Sequence, residues 1–259
     1  MYRKLSFIGI IVGLVLVAVL VFSALFAGIL TKYDPIEVAP DVRFSPPSQQ
    51  HVLGTDNLGR DFFTRLVYGL RTSLSVSFVS TLIALVVGAL LGIGGAFLDG
   101  AAGGAGRIAN KAVICLARFL AAGPGILLAI IIAYNNLGVM RFAVGIPFLL
   151  IPGFIRVFNG LALCFSDKKT DMLKASGAVV AQISLSVPLA ILFYAGMGYL
   201  GLGAHPPTAE LGLLIASGRE FAHSAPYLLV YPGLTLAVTA LSFNILGECL
   251  NAVILLRSN

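Results

Sequence analysis

Ionisable side chains concentrate in one stretch of the chain, between residues 51 and 71. Six of them stand within a few helical turns: His51, Asp56, Arg60, Asp61, Arg65 and Arg71. Such groups can cap and pin a helix or present charge to a partner. Turn residues Gly54 and Gly59 open the stretch, and apolar residues recur at helical spacing from Phe62 onward. The pattern predicts a turn and a short amphipathic helix, lying either along a membrane surface or in a solvated loop.

Short catalytic motifs are absent from the sequence. It has no phosphate-binding Gly-x-x-x-x-Gly-Lys-Ser/Thr loop, no Gly-x-Ser-x-Gly elbow and no His-Glu-x-x-His zinc motif. The apolar runs contain no Asp or Glu before Glu248, whereas proton-coupled carriers place ionisable groups at mid-membrane. We therefore predict that the chain is not an enzyme, and that any uphill transport draws its energy from a partner.

Cysteine and histidine spacing predicts no metal site. The residues concerned are Cys115, Cys164, Cys249, His51, His205 and His223. The cysteines are far apart and lie in or beside apolar runs, which is typical of small packing residues. The histidines are scattered in polar segments and form no ligand cluster with one another.

The composition is that of a membrane protein. Of the 259 residues, 58% are hydrophobic and 11% are charged, and the mean hydropathy is +0.98. A soluble domain carries about 25% charged residues, so this chain cannot cover a water-facing surface. The net charge of +6 is spread along the sequence without a basic cluster, which excludes nucleic acid as the expected partner and favours membrane lipid.

Six apolar runs predict six membrane-spanning helices. They cover residues 5–30, 74–98, 119–134, 142–165, 179–202 and 227–246. The first run would extend about 39 Å as a helix and can cross a ~30 Å hydrocarbon core, so we predict a retained anchor rather than a signal peptide. We expect two parts: residues 1–73, an anchor with an external strap and interfacial helix, and residues 74–259, a five-helix core.

Two features inside the predicted spans bear on packing and polarity. Gly88 and Gly92 have the small-residue spacing that lets helices approach closely in lipid. Arg156 lies within the fourth span, where its charge either snorkels to the interface or faces a polar cavity. Residues 99–106 are glycine-rich and predict a flexible turn between the second span and the segment that leads into the third.

An even number of spans places both termini on the same side of the membrane. Arg3 and Lys4 assign that side to the cytoplasm.

Two blocks of sequence carry a family resemblance. The first reads LGTDNLGRDFFTRLVYGLR at residues 53–71. The second includes YLGLG at 199–203, PPT at 206–208, YPG at 231–233 and FNILGE at 243–248. In order and spacing, both resemble the permease subunits of oligopeptide, dipeptide and nickel ABC importers. The middle spans are similar only in their hydrophobic pattern and in Gly153-x-x-Arg156.

The resemblance implies an all-α, six-span ABC importer permease in a bacterial-type cytoplasmic membrane. It further implies a second homologous permease, two cytoplasmic ATP-binding cassette subunits and an extracytoplasmic solute-binding protein. ATP and Mg would be bound by the ATPase subunits, and this chain would hold no cofactor. Asp56, Arg60 and Asp61 would shape the external mouth where the binding protein docks, or cap and pin the interfacial helix.

The cytoplasmic loop near residues 166–178 departs from the family pattern. Members carry a Glu-Ala-Ala…Gly motif there, on a short helix that fits a groove in the ATPase. In this chain Asp171 takes the Glu place, Lys174 follows and Gly177 takes the Gly place, but Met172 and Leu173 replace the alanines. These residues are the predicted ATPase-coupling loop, with a plain solvated loop as the alternative.

Our leading hypothesis is a permease subunit that imports peptides or a related small solute, with chelated nickel as one alternative. The altered coupling loop motivates a second hypothesis, a weakly coupled subunit with a structural or assembly role. An independent channel or facilitator is the third.

Overall fold

The protein is all-helical in the part of the chain that the structure describes. The structure is a computed structural model that describes residues 2–101, 103–123, 127, 130–131, 140–166 and 172–257. Its α-helices are α1 Tyr2–Leu25, α2 Ala27–Leu30, α3 Phe62–Ala101, α4 Gly103–Ala121, α5 Met140–Gly145, α6 Pro147–Ser166, α7 Met172–Tyr199, α8 Leu211–Arg219 and α9 Tyr227–Arg257. A short 3₁₀ helix covers Pro40–Val42, and the β-pairing in these ranges is an isolated bridge between Thr55 and Asp61.

Five helical segments in the described ranges are long and apolar enough to cross a membrane. They are Phe7–Leu25, Phe62–Ala101, Phe142–Cys164, Gly177–Tyr199 and Tyr227–Ile254. They coincide with the first, second, fourth, fifth and sixth predicted spans, which confirms an all-α polytopic membrane protein. Half of the predicted third span, eight of the sixteen residues 119–134, lies outside the described residues. The count of six spans and the cytoplasmic termini therefore stay predictions.

The predicted interfacial helix and the second span form one helix, α3. Its 40 residues extend about 60 Å, roughly twice the thickness of a hydrocarbon core. The glycine-rich turn predicted at 99–106 is shorter than expected, because α3 continues to Ala101 and α4 begins at Gly103, whose φ is +55°. Asn110 of α4 is hydrogen-bonded to Asp99 of α3, so the chain reverses direction between the two helices. Glycine costs only about 1 kcal/mol in a helix, and backbone groups at a membrane must find internal hydrogen bonds. Helix therefore persists through most of this segment.

The described chain forms two compact units that interleave along the sequence. One comprises Met1–Leu14, Phe78–Ala190 and Ser242–Asn259, and the other comprises Val15–Ser77 and Ile191–Leu241. We call the first the split unit, because its three segments are spread along the chain. We call the second the strap unit, because it contains the extended segment before α3. The functional division predicted at residue 73 stays a prediction.

Glycines bring helices together in the split unit. A Cβ at Gly88 of α3 would lie 3.2 Å from Ile155 N of α6, and one at Gly92 would lie 2.8 Å from Ile155 O and 2.9 Å from Asn159 N. Gly13 of α1 is similarly close to the backbone of Leu246 on α9. Backbone-to-backbone approach of this kind supplies the packing that holds helices together in lipid.

An apolar core lies in the strap unit beside the charged stretch. Phe62 at the start of α3 packs with three residues from the C-terminal part of the unit: Leu214, Ala225 and Leu228. Leu53, Phe221, Tyr227 and Tyr231 surround this core. The core therefore fixes the N-terminal end of α3 against α8 and α9, where the predicted polar site is found.

Candidate functional site

Asp56 is the centre of a buried ionic cluster in the strap unit. Its carboxylate accepts hydrogen bonds from the backbone nitrogens of Leu58 (2.9 Å) and Arg60 (3.0 Å) and from Arg60 Nε (2.7 Å). Arg65 Nε lies 3.4 Å from the same carboxylate. Asp56, Arg60 and Arg65 are all buried. One carboxylate therefore neutralises part of the charge of two guanidinium groups.

Arg65 connects three segments that are distant in sequence. It projects from α3, and its Nη1 donates to the carbonyl oxygens of Pro35 at 2.8 Å and Pro207 at 3.5 Å. The strap, the start of α3 and the loop before α8 are thereby held together. Arg65 belongs to the charged stretch predicted from the sequence, but nothing in the sequence indicated that it lies beside Pro207.

Asp61 caps α3. Its Oδ2 accepts from Thr64 N at 2.8 Å and Thr64 Oγ1 at 2.7 Å, and its Oδ1 lies 2.9 Å from His51 Nδ1. The His51 ring in turn lies 5.0 Å from the Tyr33 ring. A carboxylate at this position satisfies a free backbone N–H and favourably meets the positive end of the helix dipole.

The turn before α3 is also bonded to α9. Tyr227 at the start of α9 donates its hydroxyl proton to Thr55 O at 2.8 Å. Thr55 Oγ1 donates to Val42 O and accepts from Ser45 N. Together with the bonds of Asp56 and Asp61, these contacts cap and pin the start of α3 within the chain. A role of the predicted mouth residues towards a partner protein stays a prediction.

Glu210 is a further buried carboxylate, outside the charged stretch and in no motif predicted from the sequence. It is the N-cap of α8, and its oxygens accept from Gly212 N and Leu213 N, both at 2.8 Å. Ser73 Oγ of α3 lies 3.4 Å from Glu210 Oε1. Burial raises the pKa of Glu210 to about 7, against the opposing effect of these three hydrogen bonds. An acidic residue just before the apolar run LGLLIA was the local signal for a cap; its burial was not visible.

A second polar junction lies in the split unit, where α3, α4 and α6 meet. Asn159 of α6 donates through Nδ2 to Gly92 O at 3.0 Å and to Asn110 Oδ1 at 2.6 Å. Asn110 of α4 donates to Asp99 Oδ2 at 3.2 Å. These bonds satisfy polar groups at the helix contact marked by Gly92.

Arg156 is exposed on the same helix as Asn159, and its Nε donates to Pro152 O at 3.2 Å.

Of the three predicted ATPase-coupling residues, the structure describes Lys174 and Gly177. Asp171 lies outside the described residues. Lys174 is in the first turns of α7, which begins at Met172 and continues into the fifth predicted span. Gly177 is buried, and a Cβ there would lie 2.8 Å from Ile254 Cγ2 of α9. Gly177 is thus a close-packing position inside this chain.

Groups of three or more metal-ligating side chains are absent from the described residues. Cys115 and Cys164 are exposed, whereas Cys249 is half-buried beside Gly9. His51 is the histidine that joins the polar cluster, through Asp61.

The fold is that of an ABC transporter permease. A solved structure of the MetNI methionine ABC transporter, in inward-facing conformations, matches with a TM-score of 0.53 over 74% of this chain and 97% of that chain. The sequence identity is 16%, so this likeness concerns the fold alone. No protein-family model matches the chain.

Sequence relatives define the family more narrowly. The dipeptide transport system permease protein DppC of Alkalihalophilus pseudofirmus is 33% identical, over 92% of this chain and 82% of the relative. The di/tripeptide transport system permease protein DppC of Pseudomonas aeruginosa is 33% identical over 93% and 85%, and DppC of Escherichia coli is 32% identical over 93% and 86%. The chain belongs to this family of dipeptide and peptide transport system permease proteins.

Proposed function

We propose that this chain is the permease subunit of an ATP-driven importer that moves peptides or a related small solute across a cytoplasmic membrane. The observation that carries the proposal is the family membership, since the similarity to dipeptide permeases covers nearly the whole chain. The chain supplies membrane-spanning helices, and we assign ATP hydrolysis, with its bound ATP and Mg, to partner subunits. Chelated nickel is an alternative solute.

The assembly we propose contains a second homologous permease, two cytoplasmic ATP-binding cassette subunits and an extracytoplasmic solute-binding protein. The start of α3 faces the binding protein in this assembly. Because Asp56, Arg60 and Asp61 are buried and bonded within the chain, they would act there by holding the surface in shape.

We assign the ATPase contact to the segment between α6 and the start of α7, with Asp171 and Lys174 as the contacting residues. Gly177 would support this contact indirectly, because its close packing against Ile254 of α9 fixes the start of α7. A substitution at Gly177 would disturb that packing, so it cannot separate coupling from folding. Asp171 and Lys174 are the more informative positions.

The first experiment is a mild-detergent pull-down of the tagged chain from its native membrane, followed by mass spectrometry. We expect a second permease and ATPase subunits to be recovered with it. In parallel, uptake of a labelled dipeptide is measured in cells that lack the gene and in cells complemented with it. Recovery without any ATPase, together with uptake unaffected by the deletion, would contradict the proposal.

A second experiment separates a coupled permease from an assembly subunit. Asp171→Ala and Lys174→Ala are compared with Lys168→Ala, a neighbouring charge that we do not assign to the contact. We expect the first two to lower both dipeptide uptake and substrate-stimulated ATP hydrolysis at unchanged expression. Unchanged uptake and hydrolysis in both would instead favour the structural or assembly role.

A further inference from the structure

A carboxylate is completely enclosed where three helices of the strap unit meet. Glu210 has 0% exposure, and its side chain turns back over the first turn of α8 to accept from Gly212 N and Leu213 N. Two N–H groups that begin the helix are satisfied in this way. Asp, Asn, Ser and Thr are the preferred N-cap residues. A fully buried Glu at this position therefore points to a role beyond capping.

Helix α3 completes the enclosure on one side. Ser73 is itself fully buried, and its hydroxyl oxygen lies 3.4 Å from Glu210 Oε1 and 3.4 Å from the backbone nitrogen of Leu211. One turn earlier on α3, a Cβ at Gly69 would lie 3.5 Å from Leu211 N. The start of α8 is therefore pressed against α3 at two successive turns.

Helix α7 encloses the carboxylate on the other side. A Cβ at Gly198 would contact Glu210 Oε2 and lie 3.1 Å from Leu213 N. A Cβ at Gly212 would lie 2.6 Å from the carbonyl carbon of Ala195 on α7. Glu210 thus occupies a space that glycine backbones leave for it, and moving α8 away from α3 or α7 would expose it to water.

No positive charge compensates this carboxylate in the described part of the chain. Its hydrogen bonds run to Ser73, Gly212 and Leu213, which are uncharged. The titratable side chains on the three surrounding helix segments are Arg65, Tyr68, Arg71, Tyr194, Tyr199 and Arg219. Arg65 bonds to Pro35 and Pro207, and Arg219 bonds to the Tyr199 hydroxyl at 3.2 Å. Arg71 is exposed.

The charge state of Glu210 therefore biases the position of α8. Because burial raises its pKa from the ordinary 4.5 to about 7, the enclosed side chain holds a proton more tightly than a solvated one. By linkage, acid favours the enclosed arrangement, and ionisation as the pH rises towards 7 and above favours any arrangement in which water reaches the carboxylate. The preference for enclosure is complete below about pH 4.5, falls as the pH rises to about 7, and levels off above that.

We propose that Glu210 is a proton-sensitive positioning residue, which clamps α8 against α3 and α7 when neutral and loosens that clamp when ionised. Helix α8 lies in the connection between two membrane-spanning helices, α7 and α9, and Glu210 ties it to a third, α3. Relative movement of these helices during transport would open the clamp. The consequence for transport rests on the proposed function, whereas the clamp itself does not.

Hydrogen–deuterium exchange of the purified wild-type protein, alone or with whatever subunits purify with it, tests the clamp without any transport. Protection of the α8 amides is measured at about pH 6 and about pH 8, corrected for the intrinsic pH dependence of exchange, with a segment of α9 as the internal reference. With the two pKa values above, linkage predicts about a tenfold loss of α8 protection over this range. Unchanged protection of α8 in the wild-type protein would overturn the proposal.

Glu210→Gln provides the matched variant, because the amide is neutral at all pH values and close to the protonated acid in size. We expect its α8 protection to be independent of pH after the same correction. In proteoliposomes, the ratio of wild-type to Glu210→Gln dipeptide uptake should rise several-fold between about pH 6 and about pH 8. A flat ratio in active complexes would overturn the role in transport, whereas absent uptake in wild type would refute the proposed function and leave the exchange result standing.

Discussion

At the residue scale, Asp56 is the most consequential of the predicted charged residues. It is the shared counter-ion of Arg60 and Arg65, and both arginines are buried with it. A charge pair of this kind adds little net stability compared with an apolar replacement. Removing one partner, however, leaves the other charge buried without a counter-charge. The three residues therefore have to be considered together.

We expect Asp56→Asn to destabilise the chain by about 3 kcal/mol or more, because it leaves two buried guanidinium groups without a counter-charge. Asp41→Asn is the control, since Asp41 is exposed in the same strap. Apparent melting of the purified chain in detergent, followed by circular dichroism, measures the difference. Equal melting of the two variants would show that the ionic cluster does not hold the strap.

Two glycines of α7 test the space around Glu210. Gly198→Ala places a methyl group against the pinned Glu210 carboxylate, and we expect a loss of about 1–3 kcal/mol. Gly196→Ala, on the same helix, meets nothing within 4 Å and should be neutral or stabilising by up to about 1 kcal/mol through helix propensity. The same melting assay compares them, and a Gly198→Ala variant as stable as Gly196→Ala would contradict the tight enclosure.

At the scale of helices, α3 and α6 of the split unit approach at Gly88 and Gly92. The side chains of α6 that lie opposite are large and buried, including Phe154 and Ile155. Such a contact depends on shape, because lipid removes the hydrophobic drive for helices to associate. A methyl group at the contact has few ways to be accommodated.

We expect Gly92→Ala to destabilise the split unit by about 1–3 kcal/mol, because its Cβ would approach backbone atoms of Ile155 and Asn159 that cannot rotate away. Gly94→Ala is the matched control two residues further along α3, where nothing lies within 4 Å. Resistance of detergent-solubilised protein to heat-induced aggregation reports the difference. If both variants behave like wild type, Gly92 does not limit helix packing.

At the scale of the whole molecule, the number of spans decides the topology. The described residues contain five segments that can cross a membrane, and the sequence predicts a sixth at residues 119–134. Six crossings return the chain to its starting side, whereas five would leave the termini on opposite sides. The two possibilities give different arrangements of every loop after the second span.

We expect both termini to be cytoplasmic. Green fluorescent protein fused to either end should fluoresce in intact bacterial cells, because it does not mature after export through the general secretory route. A fusion in the loop between α7 and α9, after Thr208, should be dark. Fluorescence at the N-terminus with a dark C-terminal fusion of full length would instead support an odd number of spans.

The sequence by itself determined the helices, the membrane and the family. Apolar runs become helices in lipid whatever they pack against, because each backbone group must be bonded within its own segment. Family similarity was likewise readable in local blocks, such as residues 53–71. The limits were local too: the glycines at 99–106 predicted the turn between α3 and α4, but not how far the two helices extend into it.

Tertiary structure alone decided which polar residues are enclosed and what they contact. Glu210 read as part of a polar loop, because Ser73, its partner on α3, lies 137 residues away in sequence. Arg65 and Pro207 are separated by 142 residues. Hydropathy and residue spacing depend only on a side chain's own chemistry and on its neighbours in sequence. Burial and a raised pKa depend on distant helices approaching one another, and that is fixed only when the chain has folded.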